Sequence, residues 1–137
     1  MTARQYLLQA REIQIRLGAM AEQLAFLRTA AEYITPQYST TLQSATRNIH
    51  KNEDAIVRVL DFEARMKAQY DKLDVINMTI AAVSSPLLQS LLVKRYIADE
   101  SWEEIAEALS YSMSQVKRFH LSALNEVDKM LNRNEPK

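Results

Sequence analysis

The sequence has no cysteine, one glycine and three prolines in 137 residues. The absence of cysteine excludes a disulfide framework and a thiolate metal site. The scarcity of glycine and proline leaves little material for the turns of β-hairpins and argues against a sheet protein. With 47% hydrophobic and 25% charged residues, the composition is ordinary for a helical globular chain. We therefore expect an all-α fold.

Long apolar runs and a net charge are also missing. No stretch approaches the roughly 20 apolar residues that a membrane span needs, and the start MTARQYLLQA lacks a signal-peptide core. We therefore expect a cytoplasmic protein. The 17 basic and 17 acidic residues balance, so the chain as a whole has no positive field that would attract nucleic acid.

The segment SWEEIAEALSYSMSQVKRFHLSAL, residues 101–124, predicts two short helices joined by a tight turn. Ser101 with Glu104 three positions later has the pattern of a capping box, and Ser112 is the next cap-type residue. Apolar residues give each helix a buried side. They are Trp102, Ile105, Ala106 and Leu109 in the first helix, and Val116, Phe119, Leu121 and Leu124 in the second. This pattern is typical of a helix-turn-helix.

A third helix is predicted to start at Pro86, because the N–H that proline lacks would have no partner in a first helical turn. Its apolar residues are expected to face the two short helices. They are Leu87, Leu88, Leu91, Leu92 and Tyr96. Residues 84–137 are therefore predicted to form a separate domain built on the helix-turn-helix.

The segment from about residue 84 to about residue 131 resembles region 4 of bacterial sigma factors, which reads the upstream element of promoters. The matching residues are Leu92, Tyr96, Ile105, Ala106, Leu109, Ser112, Val116, Ala123 and Leu124. With the N-terminal MTARQYLLQ, the chain resembles a family of small phage-encoded, sigma-like regulators of Gram-positive bacteria related to the RinA and ArpU late activators. The resemblance implies a phage or prophage transcription regulator, an expected activator of late genes, in the cytoplasm of the bacterial host.

For reading a DNA sequence, the start of the second short helix must enter the major groove. On a helical wheel, the side that faces away from Val116 carries Ser114, Gln115 and Arg118. Gln115 is predicted to form a bidentate pair with adenine, and Arg118 with guanine. These residues are the expected source of sequence specificity.

Other residues suit the phosphate backbone. Lys117 points to the flank of the same helix, and Ser101 and Ser112 offer hydroxyls or capped amides. The sigma-like resemblance implies base contacts at Met113, Ser114, Gln115 and Arg118. Sigma factors often have arginine at the position of Met113, so recognition of the usual promoter element is not expected. The predicted DNA-binding residues are Ser101, Ser112, Met113, Ser114, Gln115, Lys117 and Arg118.

Because basic and acidic residues balance, we expect a single copy to bind DNA only weakly through Lys117 and Arg118. Acidic residues cluster at residues 99–107, before and within the first short helix. We therefore expect affinity for double-stranded DNA to come from a homodimer or from an additional contact with host RNA polymerase.

Residues 1–83 contain two apolar stripes with 4-3 spacing, the second of which is interrupted only at Gln69. The first runs from Tyr6 to Ile34, and the second runs from Ala55 to Val83. A period of 3.5 residues keeps a stripe facing a partner helix along its length. The stripes predict two long helices in an antiparallel, coiled-coil-like hairpin, and residues 35–47, rich in Ser and Thr, are the predicted connector.

The stripes are also the predicted oligomerisation surface, because a single helix cannot bury its own stripe. We expect two copies to pair through them. The alternative is that the stripes form only an intramolecular core. The predicted oligomerisation residues are Tyr6, Ile13, Leu17, Met20, Leu24, Leu27, Phe62, Met66, Leu73 and Ile76.

An enzyme is not expected. The sequence has no glycine-rich phosphate loop and no cysteine nucleophile, and adjacent Glu103 and Glu104 diverge by about 100° on a helix. No cofactor or metal is expected either, because His50 and His120 lack the spacing of a zinc motif. Trp102 is predicted to be a core residue. His120 is predicted to be either a phosphate contact or a partly buried histidine with a satisfied ring.

Three functions remain open. A transcription regulator that binds DNA leads, because the sigma-like resemblance favours it. A small terminase-like subunit for DNA packaging also combines a helix-turn-helix with helical oligomerisation, but commonly in the reverse order along the chain. A coiled-coil adaptor that docks on RNA polymerase or another protein is the third alternative.

Overall fold

Helices account for the regular secondary structure of the described residues, which in this computed structural model are 1–33 and 42–133, with side chains for 1–32 and 53–133. The predicted all-α class, a helical hairpin followed by a small helical unit, is confirmed. The helices are α1 (Ala3–Tyr33), α2 (Leu42–Ala81), α3 (Pro86–Leu92), α4 (Trp102–Leu109) and α5 (Met113–Arg133), and a π-helical turn, Val93–Ile97, continues α3. None of the described helices combines the length and apolarity that a membrane crossing requires.

The chain divides into two compact units. The first, here named the helix-turn-helix unit, consists of Met1–Gln14 and Lys72–Lys137. It therefore joins the start of α1 and the end of α2 to α3, α4 and α5. The second, here named the hairpin unit, is Ile15–Asp71. The sequence predicted a domain boundary between residues 83 and 84. In the structure, the boundaries between the two units instead lie within α1 and within α2.

The core of the helix-turn-helix unit includes residues from every one of its helices. Among the described side chains, the largest fully buried ones all lie in this unit: Leu7, Ile80, Val83, Leu91, Leu92, Ile105, Val116 and Val127. Two hydrogen bonds hold the start of α1 in place. The backbone N–H of Ala3 donates to Oδ1 of Asp128 at 2.7 Å, and Nε2 of Gln14 donates to the carbonyl of Ile97 at 2.9 Å. The unit is therefore larger than the three helices predicted for it.

The predicted start of α3 is confirmed. Pro86 occupies the first helical turn, and the side chain of Ser85 caps the helix by accepting the backbone N–H of Leu88. Ser84 fixes this end of the unit to α5, because its backbone N–H and its hydroxyl both donate to the carboxylate of Glu126, at 3.0 and 2.8 Å. These hydrogen bonds lower the pKa of Glu126.

In the hairpin unit, α1 and α2 run antiparallel. Nη1 of Arg16 donates to Oε1 of Gln69 at 3.0 Å, while Arg28, further along α1, pairs with Glu63 at 2.6 Å. The described residues of both stripes are buried or half-buried within a single chain, and pairing of two copies through them stays a prediction. Five predicted oligomerisation residues are half-buried, namely Tyr6, Met20, Leu27, Phe62 and Leu73, and five are buried, namely Ile13, Leu17, Leu24, Met66 and Ile76.

The predicted connector is too long. Residues 42–47 belong to α2, and residues 35–41 lie outside the described residues. Leu42, Gln43, Ala45 and Arg47 are strong helix formers, and they outweigh the Ser and Thr residues on which the prediction of a connector depended. The last residue of the first predicted stripe, Ile34, also lies outside the described residues.

Candidate nucleic-acid interface

The start of α4 is fixed by the predicted capping box. Oγ of Ser101 accepts the backbone N–H of Glu104 at 3.2 Å, and the carboxylate of Glu104 accepts the backbone N–H of Ser101 at 3.2 Å. Two N–H groups that the helix leaves without partners are satisfied in this way. Ser101 keeps its hydroxyl hydrogen, which is the group available for the predicted phosphate contact.

The turn between α4 and α5 is as short as the sequence predicts. Ser110 adopts a left-handed conformation, with φ of 61° and ψ of 38°, which ends α4 at Leu109. The backbone N–H of Tyr111 then donates to the carbonyl of Ala106 at 3.1 Å. Bonds of this kind satisfy carbonyls at the end of a helix. They also end α4 and change the direction of the chain within three residues, so that α5 can begin at Met113.

A second capping box, at the start of α5, involves a residue predicted to read DNA. Oγ of Ser112 accepts the backbone N–H of Gln115 at 3.2 Å, and Oε1 of Gln115 accepts the backbone N–H and the hydroxyl of Ser112 at 3.1 and 3.2 Å. A bidentate pair with adenine requires both the oxygen and the nitrogen of a glutamine amide. Because the oxygen of Gln115 is engaged, the predicted pair with adenine is not available in this conformation.

The outer face of the first turns of α5 is open to solvent. Met113, Ser114, Lys117 and Arg118 are all exposed. No hydrogen bond or ion pair of the described residues involves the Lys117 or Arg118 side chain. Two cations at adjacent positions of the same turn are therefore available to an anionic partner.

The exposure of Leu121 differs from the predicted packing of α5. It was assigned to the buried side of the helix but is 62% exposed. The buried residues of α5 are Val116, Ala123 and Val127, and His120 is half-buried between them. These residues follow a 4-3-4 spacing that turns Leu121 outward, one turn beyond Lys117 and Arg118.

An aromatic cluster joins the inner side of α5 to α3 and α4. The Trp102 ring makes an edge contact with His120, with 4.7 Å between ring centroids, and the guanidinium of Arg95 lies 4.3 Å from the centre of the Trp102 ring. Trp102 is therefore half-buried under Arg95 rather than fully in the core. A second edge contact, between Tyr111 and Phe119 at 5.0 Å, anchors α5 to the turn.

His120 is a satisfied histidine, which confirms one of the two predictions made for it. Nε2 of its ring lies 2.7 Å from the hydroxyl of Tyr96. Burial, followed by the positive charges of Arg4 and Arg95, lowers the pKa of His120 to about 4. The ring is therefore neutral at physiological pH and contributes no positive charge to a phosphate contact.

Sequence reasoning missed the part that α1 plays in this unit. Arg4 lies near enough to His120 to affect its pKa, and Arg11 pairs with Asp99 at 3.3 Å, just before α4. The signal was present in the apolar residues Ala3 and Leu7, which are both buried and which were not counted in the predicted stripe from Tyr6 to Ile34. Their burial shows that the start of α1 supports the helix-turn-helix.

The described residues contain no group of three His, Asp or Glu side chains placed to hold a metal ion. No family model, curated protein or solved structure matches the chain.

Proposed function

We propose that this chain is a sequence-specific DNA-binding regulator of transcription, encoded by a phage or prophage, that acts as a dimer on double-stranded DNA. The observation that carries the proposal is the outer face of α5, where Ser114, Lys117 and Arg118 are exposed directly after a tight helix-turn-helix turn. Activation of late genes is the proposed outcome, as implied by the resemblance to the RinA and ArpU regulators.

The roles of the two cations differ. Arg118 presents a planar guanidinium that can pair with O6 and N7 of guanine in the major groove. Lys117 lies on the flank of the helix and suits a phosphate, which positions the protein without specifying sequence. Gln115 supports both by holding the first turn of α5 closed, and its remaining amide N–H groups are free to donate.

Selection of genomic fragments with the purified protein tests binding and returns the recognition site. Arg118→Ala is expected to lose about 1–3 kcal/mol of discrimination between the selected site and a mutated one, whereas Lys117→Ala is expected to weaken binding to all sequences and to reduce the salt dependence. Lys129→Ala is a matched control, since Lys129 is an exposed cation of the same helix, several turns away. Selection of no fragment, or equal effects of all three changes, contradicts the proposal.

A coiled-coil adaptor that binds RNA polymerase is a second candidate, because the exposed Leu121 lies near Arg118 on the surface of α5. An exposed leucine suits an apolar surface of a protein better than the phosphate backbone. Co-purification with host RNA polymerase tests this function. If Leu121→Ser abolishes co-purification while DNA binding is unchanged, the adaptor is favoured, and if only DNA binding is lost, the regulator is favoured.

A further inference from the structure

The start of α1 lies against one flank of α5. The backbone N–H of Ala3 donates to Oδ1 of Asp128 at 2.7 Å. Successive residues of a helix are about 100° apart, so Lys117 stands about 100° from the buried Val116 and Asp128 about 120° from it. Asp128 and Lys117 therefore share a flank of α5. The first turn of α1 lies on the side of the helix-turn-helix unit from which Lys117 is proposed to contact a phosphate.

Arg4, in this first turn, carries its charge along the same flank. Burial raises the pKa of Tyr96 and lowers that of His120, and the charge of Arg4 is the second cause acting on each, in both cases lowering the pKa. His120 lies three residues after Lys117, whereas Asp128 lies 11 residues after it, about 16 Å along the helix. The charge of Arg4 therefore lies beside α5, between Asp128 and Lys117.

Arg4 differs from the neighbouring cations of α1 and the π-helical turn, because those cations each have a partner. Their contacts are Arg11 with Asp99 at 3.3 Å, Lys94 with Glu100 at 3.6 Å, and the guanidinium of Arg95 with the Trp102 ring at 4.3 Å. Arg4 is exposed, and no hydrogen bond, ion pair or ring contact of the described residues involves its side chain. Its charge is therefore available to an anion from outside the chain.

The charge of Arg4 lies near a second positive charge. Arg4 and Arg95 act on the same two side chains, Tyr96 and His120. Like charges that lie close together repel each other, and an anion bound beside them offsets this repulsion. The phosphates of one DNA strand recur about every 3.4 Å of the duplex axis. A strand that contacts Lys117 therefore presents further phosphates along the flank on which Arg4 lies.

We propose that Arg4 contacts a phosphate of the DNA backbone, so that the start of α1 forms part of the DNA-binding surface together with α5. The inference rests on the proposed function and adds to it a residue from the opposite end of the chain. A guanidinium suits this role because it can pair with two phosphate oxygens at once. Phosphate contacts carry no sequence information, so Arg4 is expected to add affinity for every duplex.

The salt dependence of binding to a duplex of about 30 base pairs and arbitrary sequence tests the contact, because phosphates dominate such binding. Fluorescence anisotropy of the labelled duplex provides the measurement with the full chain. Arg4→Ala is expected to reduce the slope of log K against log salt by about 0.9 and to weaken binding about eightfold at 0.1 M salt, as the loss of one released counterion requires. Arg4→Lys keeps the charge and is expected to keep the slope.

Arg58→Ala is the matched control, since Arg58 is an exposed cation of the hairpin unit and its loss changes the net charge equally. This control is expected to keep the slope of the wild type. Modification of the wild-type chain with phenylglyoxal gives a second measurement that does not depend on the folding of a variant. The duplex is expected to slow the modification of Arg4 but not that of Arg58, as mass spectrometry of the peptides would show.

Three results overturn the inference while the proposed function stands. They are an unchanged slope in Arg4→Ala, an equal loss of slope in Arg4→Lys or Arg58→Ala, and modification of Arg4 that the duplex does not slow. Failure of the proposed function has a different sign, because the wild-type chain then binds no duplex at all or Arg118→Ala leaves sequence discrimination unchanged. Absence of duplex binding by the wild-type chain overturns both.

Discussion

The two units of this protein use the same long helices in different ways. In the helix-turn-helix unit, the start of α1 and the end of α2 are covered by three further helices, and side chains such as Leu7, Ile80 and Leu91 are fully buried. In the hairpin unit, the helices cover each other along one stripe, and apolar residues such as Phe26 and Val57 remain exposed. Burial of one stripe therefore forms a hairpin but leaves the outer surface of its helices uncovered.

This difference implies that the helix-turn-helix unit depends on residues far away in sequence. A fragment of residues 84–133 is expected not to fold, because it lacks Leu7, Ile80 and Val83. Full burial of a side chain of this size contributes about 1.5–3 kcal/mol, and whole domains are stable by only about 5–15 kcal/mol. Circular dichroism and urea unfolding of the fragment provide the measurement. A cooperative unfolding transition with a native helix content would instead support the predicted boundary at residues 83 and 84.

The units are also expected to respond differently to the same substitution. Leu91→Ala, at a fully buried position, is expected to lower the free energy of unfolding by about 2–5 kcal/mol. Leu24→Ala, in the hairpin unit, is expected to cost less, because solvent and neighbouring side chains can occupy the space more easily beside a two-helix stripe. Urea unfolding of the two variants measures both values. Equal losses would contradict the comparison.

The features that sequence reasoning predicted correctly are local. Pro86 with Ser85 before it, and Ser101 with Glu104 after it, determine helix starts through groups within four residues of one another. The same reasoning could have identified the capping box of Ser112 and Gln115, which has the same spacing. It was missed because Gln115 was considered only as a group that reads DNA.

The features that were missed depend on packing between distant segments. Leu121 has an apolar side chain, but its position on α5 lies outside the 4-3-4 spacing that faces the core, and position decides burial. A period of 3.5 residues does not distinguish a stripe covered by its own chain from one covered by a second copy, because both arrangements require that period. The contacts of Gln14 and Asp128 with distant backbone groups leave no periodic signal at all.

Acid is expected to loosen the helix-turn-helix unit through His120. Its folded-state pKa of about 4 lies below the usual 6.5, so the unfolded chain binds the proton more readily and stability falls as the pH decreases from about 6.5 to about 4. A pKa difference of this size would change the free energy of unfolding by about 3 kcal/mol if it were fully expressed. Because the ring is half-exposed and solvent screens its charge, we expect a change of about 1 kcal/mol. His120→Gln is expected to show a smaller decrease in melting temperature over this range. An identical decrease in both proteins would exclude His120 as the cause.

The smallest expected effects concern the cap of α5, and they distinguish its structural role from DNA reading. Ser112→Ala and Gln115→Ala are each expected to lower the free energy of unfolding, the first by about 1 kcal/mol, because they leave N–H groups of the first turn without partners. Gln115→Glu keeps the acceptor oxygen and is expected to leave stability unchanged. Its negative charge at the outer end of α5 is nevertheless expected to weaken binding to the selected DNA. Thermal unfolding and DNA titration of Gln115→Glu provide the comparison, and normal DNA affinity in this variant would show that the start of α5 does not approach the phosphates.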